Sequence, residues 1–351
     1  MASRRQFIKY FGVSPIVFIK PGSGQSTNKK PLIKPPLLNK GDTVGLVSPS
    51  SAPFEMPYTL TEAREKMQNL GFKIKLGAHT DKRRGYLAGT DQERVEDIHS
   101  MFADDEVRAI IAIRGGYGAT RLLKYLDYNL IRENPKIFVG YSDVTALLLA
   151  IHKLSAIPTF HGPVAISTFT PYTQEYFFKA LTQNQAIGEI ADAPYEENLQ
   201  TTNRTVPVCK GIARGPLTGG NLTLICSTLG TPYEIETQGR ILFIEDVGEE
   251  PHDLDRYLTH LDNAGKLEIC AGIVFDRMKG VHPADFKPGY YSNLSMSQII
   301  FERITPYNIP CAMGLSLGHI ANKPTLPLGI EAEFNADTGR ISILESAVSW
   351  A

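Results

Sequence analysis

Five consecutive apolar residues, Ala109-Ile110-Ile111-Ala112-Ile113, stop at Arg114-Gly115-Gly116-Tyr117-Gly118. A strand with no polar alternation needs cover on both faces, as an inner strand of a parallel sheet has. A second run, Ile137-Phe138-Val139, leads through Gly140-Tyr141-Ser142-Asp143 into Val144, Leu147, Leu148 and Ile151 at helical spacing, so a strand there turns directly into a helix. Upstream, residues 43–47 read as a strand, 60–70 as a helix and 73–76 as a strand. Thr90-Asp91-Gln92-Glu93 is a capping-box pattern opening a helix with Val95, Ile98 and Phe102 on one face. Strand then helix, repeated, predicts an open α/β domain with a doubly wound parallel sheet.

At 351 residues the chain has length for two such units. Residues 37–190 form the expected N-terminal domain. A polar stretch, 191–204, reads as a linker, and 205–351 as a smaller C-terminal α/β domain. In the second half, Gly215-Pro216-Leu217-Thr218-Gly219-Gly220-Asn221 reads as a lead-in to a helix near 222–229. Strands at 240–244 and 271–275 alternate with helices at 254–263 and near 297–303, before a strand pair at 330–334 and 340–344. Cys209, Cys226, Cys270 and Cys311 lie far apart in apolar surroundings and read as packing residues. The formal net charge of -1 supplies no electrostatic reason to expect a nucleic-acid partner. No apolar run of about 18 residues is present from which to expect membrane insertion of the mature body.

The N-terminus differs in kind. Ser3-Arg4-Arg5-Gln6-Phe7-Ile8-Lys9, an apolar segment over 10–19, and then Pro21, Gly22, Ser23 and Gly24 resemble a twin-arginine export signal. Residues 1–36 are therefore set apart as an export signal and disordered extension, with the periplasm as the expected location. A basic tail on a cytoplasmic protein is the alternative.

Three positions stand where chemistry can be done. Ser142 occupies the strand-to-helix turn, where a hydroxyl can be lifted clear of the sheet beside free backbone N–H groups; equally, Ser142 or Asp143 can cap the helix. The Arg114–Gly118 loop sits at a strand's carboxyl end, where α/β sheets bind ligands, although a plain tight turn has the same composition. It has neither the dinucleotide glycine spacing nor a phosphate-loop lysine. Glu245 and Asp246 end the apolar strand Ile241-Leu242-Phe243-Ile244, and His319 lies in Gly314-Leu315-Ser316-Leu317-Gly318-His319. Together they offer a nucleophile, an orienting carboxylate and a base in the order Ser, Glu, His.

The pieces Gly41-Asp42-Thr43-Val44-Gly45-Leu46-Val47-Ser48-Pro49-Ser50, Arg114-Gly115-Gly116-Tyr117-Gly118, Gly140-Tyr141-Ser142-Asp143, Gly219-Gly220-Asn221-Leu222, Ile244-Glu245-Asp246-Val247-Gly248-Glu249-Glu250-Pro251 and Leu317-Gly318-His319 run in order from residue 38 onward. In this they resemble the bacterial LD-carboxypeptidase family, the muramoyltetrapeptide carboxypeptidases, which includes the microcin C self-immunity proteins. The resemblance implies a flavodoxin-like or amidotransferase-like N-terminal domain, a smaller C-terminal domain and a site between them. It makes Ser142 the nucleophile, Glu245 the orienting carboxylate and His319 the base, with an oxyanion hole from the backbone N–H groups of Gly116 and Asp143. Glu249 is the competing carboxylate. No metal or organic cofactor is implied, and a homodimer is left open. The implied substrate is a murein tetrapeptide, cut between the L-centre of its diamino acid and the terminal D-alanine. Two alternatives stand beside it: a self-immunity peptidase or amidase cleaving a toxic aminoacyl-nucleotide, and a catalytically silent wall-fragment binding protein. The stretch 278–291, with His282 and paired Tyr290-Tyr291, departs from the family pattern and is the expected place for a reshaped cleft.

Overall fold

A computed structural model describes residues 30–53, 57–194, 205–285 and 289–350. The twin-arginine pattern and most of the expected linker, residues 195–204, fall outside the described residues. The first sheet contains β1 (Thr43–Val47), β2 (Lys73–Leu76), β3 (Val107–Ala112), β4 (Ile137–Gly140) and β5 (Thr159–His161), all parallel, in the order 2-1-3-4-5. That is the flavodoxin-like doubly wound order, with its switch point between β1 and β3. Between the strands run α1 (Tyr58–Asn69), α2 (Asp91–Ala103), α3 (Tyr128–Glu133) and α4 (Thr145–Ser155), and α5 (Pro171–Thr182) follows the last. Helix α2 opens on the capping box read from its sequence: Thr90 Oγ1 accepts the Glu93 N–H at 3.2 Å, and the Glu93 carboxylate accepts the Thr90 N–H at 2.7 Å.

The second sheet is mixed. It comprises β6 (Gly188–Glu189), β7 (Val206–Cys209), β8 (Ile212–Asn221), β9 (Ile241–Glu245), β10 (Gly272–Asp276), β11 (Cys311–Leu315), β13 (Glu331–Asn335) and β14 (Arg340–Ile343), in the order 6-14-13-8-9-10-11-7. Strands β8 to β11 are parallel and the outer four pair antiparallel. Helices α6 (Leu222–Ser227), α7 (Pro251–Asn263) and α8 (Met296–Ile304) complete this half. Helix α4 lies against both halves, touching β4 and β5 of one sheet and β8 of the other, so Leu147, Leu148, Leu149 and Ile151 are all buried, and only its last turn, with His152 and Lys153, is polar and partly exposed. All four cysteines are buried and free.

Three sequence readings change. The glycine- and proline-rich stretch 215–221 is no lead-in but the second half of β8, an inner strand. The glycine is required by close approach: a Cβ on Gly219 would lie 1.9 Å from the Phe243 carbonyl oxygen. The C-terminal segment is not confined to its own domain, because β12 (Leu326–Leu328) crosses over to pair antiparallel with β5. Nor does the folded body wait until residue 37, since the compact unit takes in residues from Leu32 and the Ile33 N–H donates to the Ala156 carbonyl at 2.9 Å.

Candidate active site

The loops following β1, β3 and β4 gather at the carboxyl edge of the first sheet, and Arg94 ties the first two together. This arginine is 1% exposed; its Nη1 donates to the Pro49 carbonyl at 2.6 Å and the Gly118 carbonyl at 3.0 Å, and its Nη2 to Asp91 at 2.6 Å. Across the same edge the Asp143 carboxylate accepts the Ala119 N–H at 2.8 Å. Burial raises the proton affinity of Asp143, and the hydrogen bonds it accepts oppose that rise.

Ser142 has φ 62, a left-handed conformation unusual for a residue with a side chain. Such strain costs on the order of 1–3 kcal/mol and persists only where the surroundings enforce it. Here Tyr141 is fully extended and a 3-10 turn, Ser142–Val144, begins at the serine and runs into α4. The cap alternative fails on geometry: neither Ser142 nor Asp143 caps α4, whose N-cap position is Val144.

Glu245, fully buried at the end of β9, accepts from His319 Nδ1 at 2.7 Å. The contact needs a glycine next to the histidine, because a Cβ on Gly318 would lie 2.3 Å from Glu245 Oε2. With Nδ1–H committed to a carboxylate, the imidazole presents a bare Nε2 that can take a proton. Glu249, the competing carboxylate, is half-buried and faces Asp246, Asp253 and Thr223 rather than His319.

Ser142, His319, Gly115 and Gly116 line one cleft of about 600 Å³. Ser142 and His319 share no hydrogen bond in the structure, although both border this cleft. The Gly116 N–H has no acceptor among the described residues. Gly116 is held by its neighbour: the Tyr117 N–H donates to Ser51 Oγ at 3.0 Å. Phe286 and Lys287 of the stretch 278–291 lie outside the described residues, and its other aromatic and basic residues divide. Lys279 borders the cleft, whereas Tyr290 packs edge-on against His252 with centroids 5.1 Å apart, and Tyr291 and His282 are exposed. A smaller cavity of about 240 Å³, lined by Arg277, Ser316 and Leu317, lies apart from Ser142 and His319.

Among the residues that escaped the sequence reading, two support the His319 loop. Asp276, buried at the end of β10, accepts the Leu317 N–H at 2.7 Å and the Gly318 N–H at 3.2 Å, fixing the loop that carries His319. Burial raises its carboxyl to about 6, against the pull of those N–H groups. The clue was available, because Asp276 ends an apolar strand just as Glu245 does. His161, at the end of β5 and fully buried, donates from Nε2 to the Leu317 carbonyl at 3.1 Å and packs against the Phe243 and Tyr141 rings. No motif marks it.

Burial holds the His161 imidazole down to about 4. Its folded-state value lies below the unfolded one of about 6.5, so the unfolded chain binds the proton first, and stability is lost as pH falls from 6.5 toward 4. Asp276, raised in the folded state, acts with the opposite sign between about 6 and its unfolded value, so wild type alone does not isolate either group. Against His161→Gln, which keeps a donor for Leu317 and carries no charge, wild type should lose up to ~3 kcal/mol more between pH 7 and 4.5. Urea unfolding at the two pH values measures this; a difference that stays flat with pH would refute it.

Fold and cleft place the chain among two-domain α/β enzymes whose site lies at the strand ends between two sheets. Residues 44–162 match the LD-carboxypeptidase N-terminal domain and residues 214–334 the LD-carboxypeptidase C-terminal domain, and the chain belongs to this family. It is 40% identical over 90% of its length, and 95% of the relative's, to the Bacillus subtilis protein named "probable murein peptide carboxypeptidase". Among solved structures, the microcin C7 self-immunity protein bound to aspartyl sulfamoyl adenosine is similar with a TM-score of 0.79 and 29% identity, over 90% of this chain and all of that one. The muramoyltetrapeptide carboxypeptidase of Oxalobacter formigenes is similar with a TM-score of 0.72 and 28% identity, over 87% and 99%. The chain is thus an enzyme of the carboxypeptidase class.

Proposed function

We propose that the protein is a serine LD-carboxypeptidase that removes the terminal D-alanine from murein tetrapeptides. The observation that carries this is the pairing of a fully buried Glu245 with a half-buried His319 that borders the same cleft as a serine held on a strained turn. His319 Nε2 takes the proton from Ser142 Oγ as the oxygen attacks the scissile carbonyl. Glu245 holds the tautomer and stabilises the imidazolium, and the N–H groups of Gly116 and Asp143 receive the oxyanion. The imidazolium then protonates the departing amine of D-alanine. Water, deprotonated by the same imidazole, hydrolyses the acyl-enzyme. No step calls for a metal or organic cofactor.

The nucleotide-cleaving reading needs a flat surface for a base. Among the described cleft residues Tyr141 is the sole aromatic, and its ring already packs against His319 at 5.0 Å and under the Lys323 ammonium at 4.8 Å. That favours a peptide substrate. Mass spectrometry after incubation with a murein tetrapeptide tests the reading: tripeptide plus free alanine is expected, and an intact tetrapeptide refutes it.

The Ser3–Lys9 pattern supports export in folded form to the periplasm, where such peptides arise. Replacing Arg4-Arg5 by Lys-Lys should leave the protein in the cytoplasm, because the machinery reads the arginine pair as an address and not as bulk charge. Equal periplasmic recovery of the two forms would remove the twin-arginine signal and leave the catalytic reading intact.

A further inference from the structure

Lys323 follows His319 in the same loop, is only 4% exposed, and lines the cleft with Tyr141, Ser142 and His319. A buried ammonium normally spends its protons on acceptors. This one lies over the Tyr141 ring and donates no hydrogen bond to any described residue. The two carboxylates whose charge it feels, Glu245 and Asp276, make their hydrogen bonds elsewhere, Glu245 through Oε2 to His319 and Asp276 to the backbone of the His319 loop, and the remaining Glu245 oxygen, Oε1, accepts no hydrogen bond from Lys323 or any other described residue. Burial lowers its proton affinity to about 8, and those carboxylates keep it from falling further, so at neutral pH the group remains a cation. The other cations of the cleft are differently placed: Arg114 donates to the Ala52 carbonyl at 2.9 Å, and Lys279 is exposed.

The chemistry fixes where a substrate anion must lie. The departing nitrogen takes its proton from His319, so the leaving residue occupies the His319 side of Ser142, and its carboxylate is two bonds from that nitrogen. The His319 ring at 5.0 Å and the Lys323 ammonium at 4.8 Å both contact the Tyr141 ring and both line the cleft that holds Ser142, so the cation borders the space the leaving group must use. We infer that Lys323 is the receptor for the free carboxylate of the substrate's terminal residue, and that it restricts cleavage to the last peptide bond. The inference rests on the carboxypeptidase reading and adds the group that enforces it. An internal peptide bond would present a neutral amide to a desolvated cation and leave it unpaired.

The test compares a tetrapeptide acid with its C-terminal carboxamide on wild type, Lys323→Met and Lys323→Arg. Wild type should favour the acid in kcat/KM by a factor on the order of 10² or more. Lys323→Met should bring the acid-to-amide ratio close to one, and Lys323→Arg should restore part of it. A lysine that merely neutralised Glu245 and Asp276 would lower both substrates together and leave the ratio unchanged; that result, or a wild type indifferent to acid and amide, overturns the inference. No alanine release by wild type from the acid overturns the carboxypeptidase reading instead. If turnover of the Met variant is too slow to follow, the same ratio is read as Kd in the Ser142→Ala background, with and without Lys323→Gln. There, loss of the preference for the acid supports the inference and its retention refutes it.

Discussion

Ser142→Ala and His319→Ala should each lower kcat by roughly 10³-fold or more, with circular dichroism and melting temperature close to wild type. The size follows from coupling: without the imidazole the hydroxyl is not deprotonated, and without the hydroxyl the imidazole has no nucleophile to activate, so removing either member removes most of the joint effect. Folding should survive because neither side chain is core. Ser142 is half-buried, and truncation leaves the left-handed backbone of the turn as it was. Glu245→Gln tests the third member. Its oxygen can still accept from His319 Nδ1, but the charge that stabilises the imidazolium is gone and an amide N–H can turn toward the ring, so activity should fall by about as much or somewhat less. Glu249→Gln should stay near wild type, because that carboxylate faces Asp246 and Asp253. An inactive Glu249→Gln beside a fully active Glu245→Gln would transfer the orienting role to the wrong side of the site and refute the assignment.

The first sheet was legible because its strands obey simple burial rules. The run at 109–113 is apolar throughout and lies inside the sheet, and the turn after β4 was visible as a change of hydrophobic period from strand to helix. The second sheet was less so. Strand β8 carries Gly215, Pro216, Gly219 and Gly220, residues that weaken a strand in isolation; it is held by partners on both sides, and such long-range pairing leaves no local trace. The strands β5, β6, β7, β11 and β12, all short, escaped for the same reason. Of the site, the residues at strand ends could be read, since an apolar run that stops on Glu or Ser announces itself. Arg94, His161 and Lys323 could not. Each sits in an ordinary sequence context and acquires its character from burial next to loops distant in the chain. Asp276 lies between these cases, because it shares the strand-end pattern of Glu245 and differs only in having no motif around it.

Release of alanine should depend on both the configuration and the position of the last residue. For acyl transfer the scissile carbonyl must meet Ser142 Oγ and the N–H groups of the oxyanion site within a fraction of an ångström, while the departing nitrogen faces His319. A terminal D-alanine fixes that arrangement from both ends of the bond. With an L-alanine terminus the methyl and the hydrogen exchange places, and the carboxylate and the carbonyl can no longer occupy their sites together. One of them is then left buried without its partner. Unpaired polar groups of this kind support discrimination on the order of 10⁴, whereas loss of a methylene contact is worth only about 10–200-fold. A pentapeptide ending in D-alanyl-D-alanine places a D-centre where the L-centre of the diamino acid belongs and should be cut slowly for the same reason. Free alanine followed by enantiomer-resolved chromatography from the three synthetic peptides measures all of this. Fast release is expected from the D-terminated tetrapeptide alone, and comparable rates from the D- and L-terminated tetrapeptides would sink the murein substrate even with Ser142 established as the nucleophile.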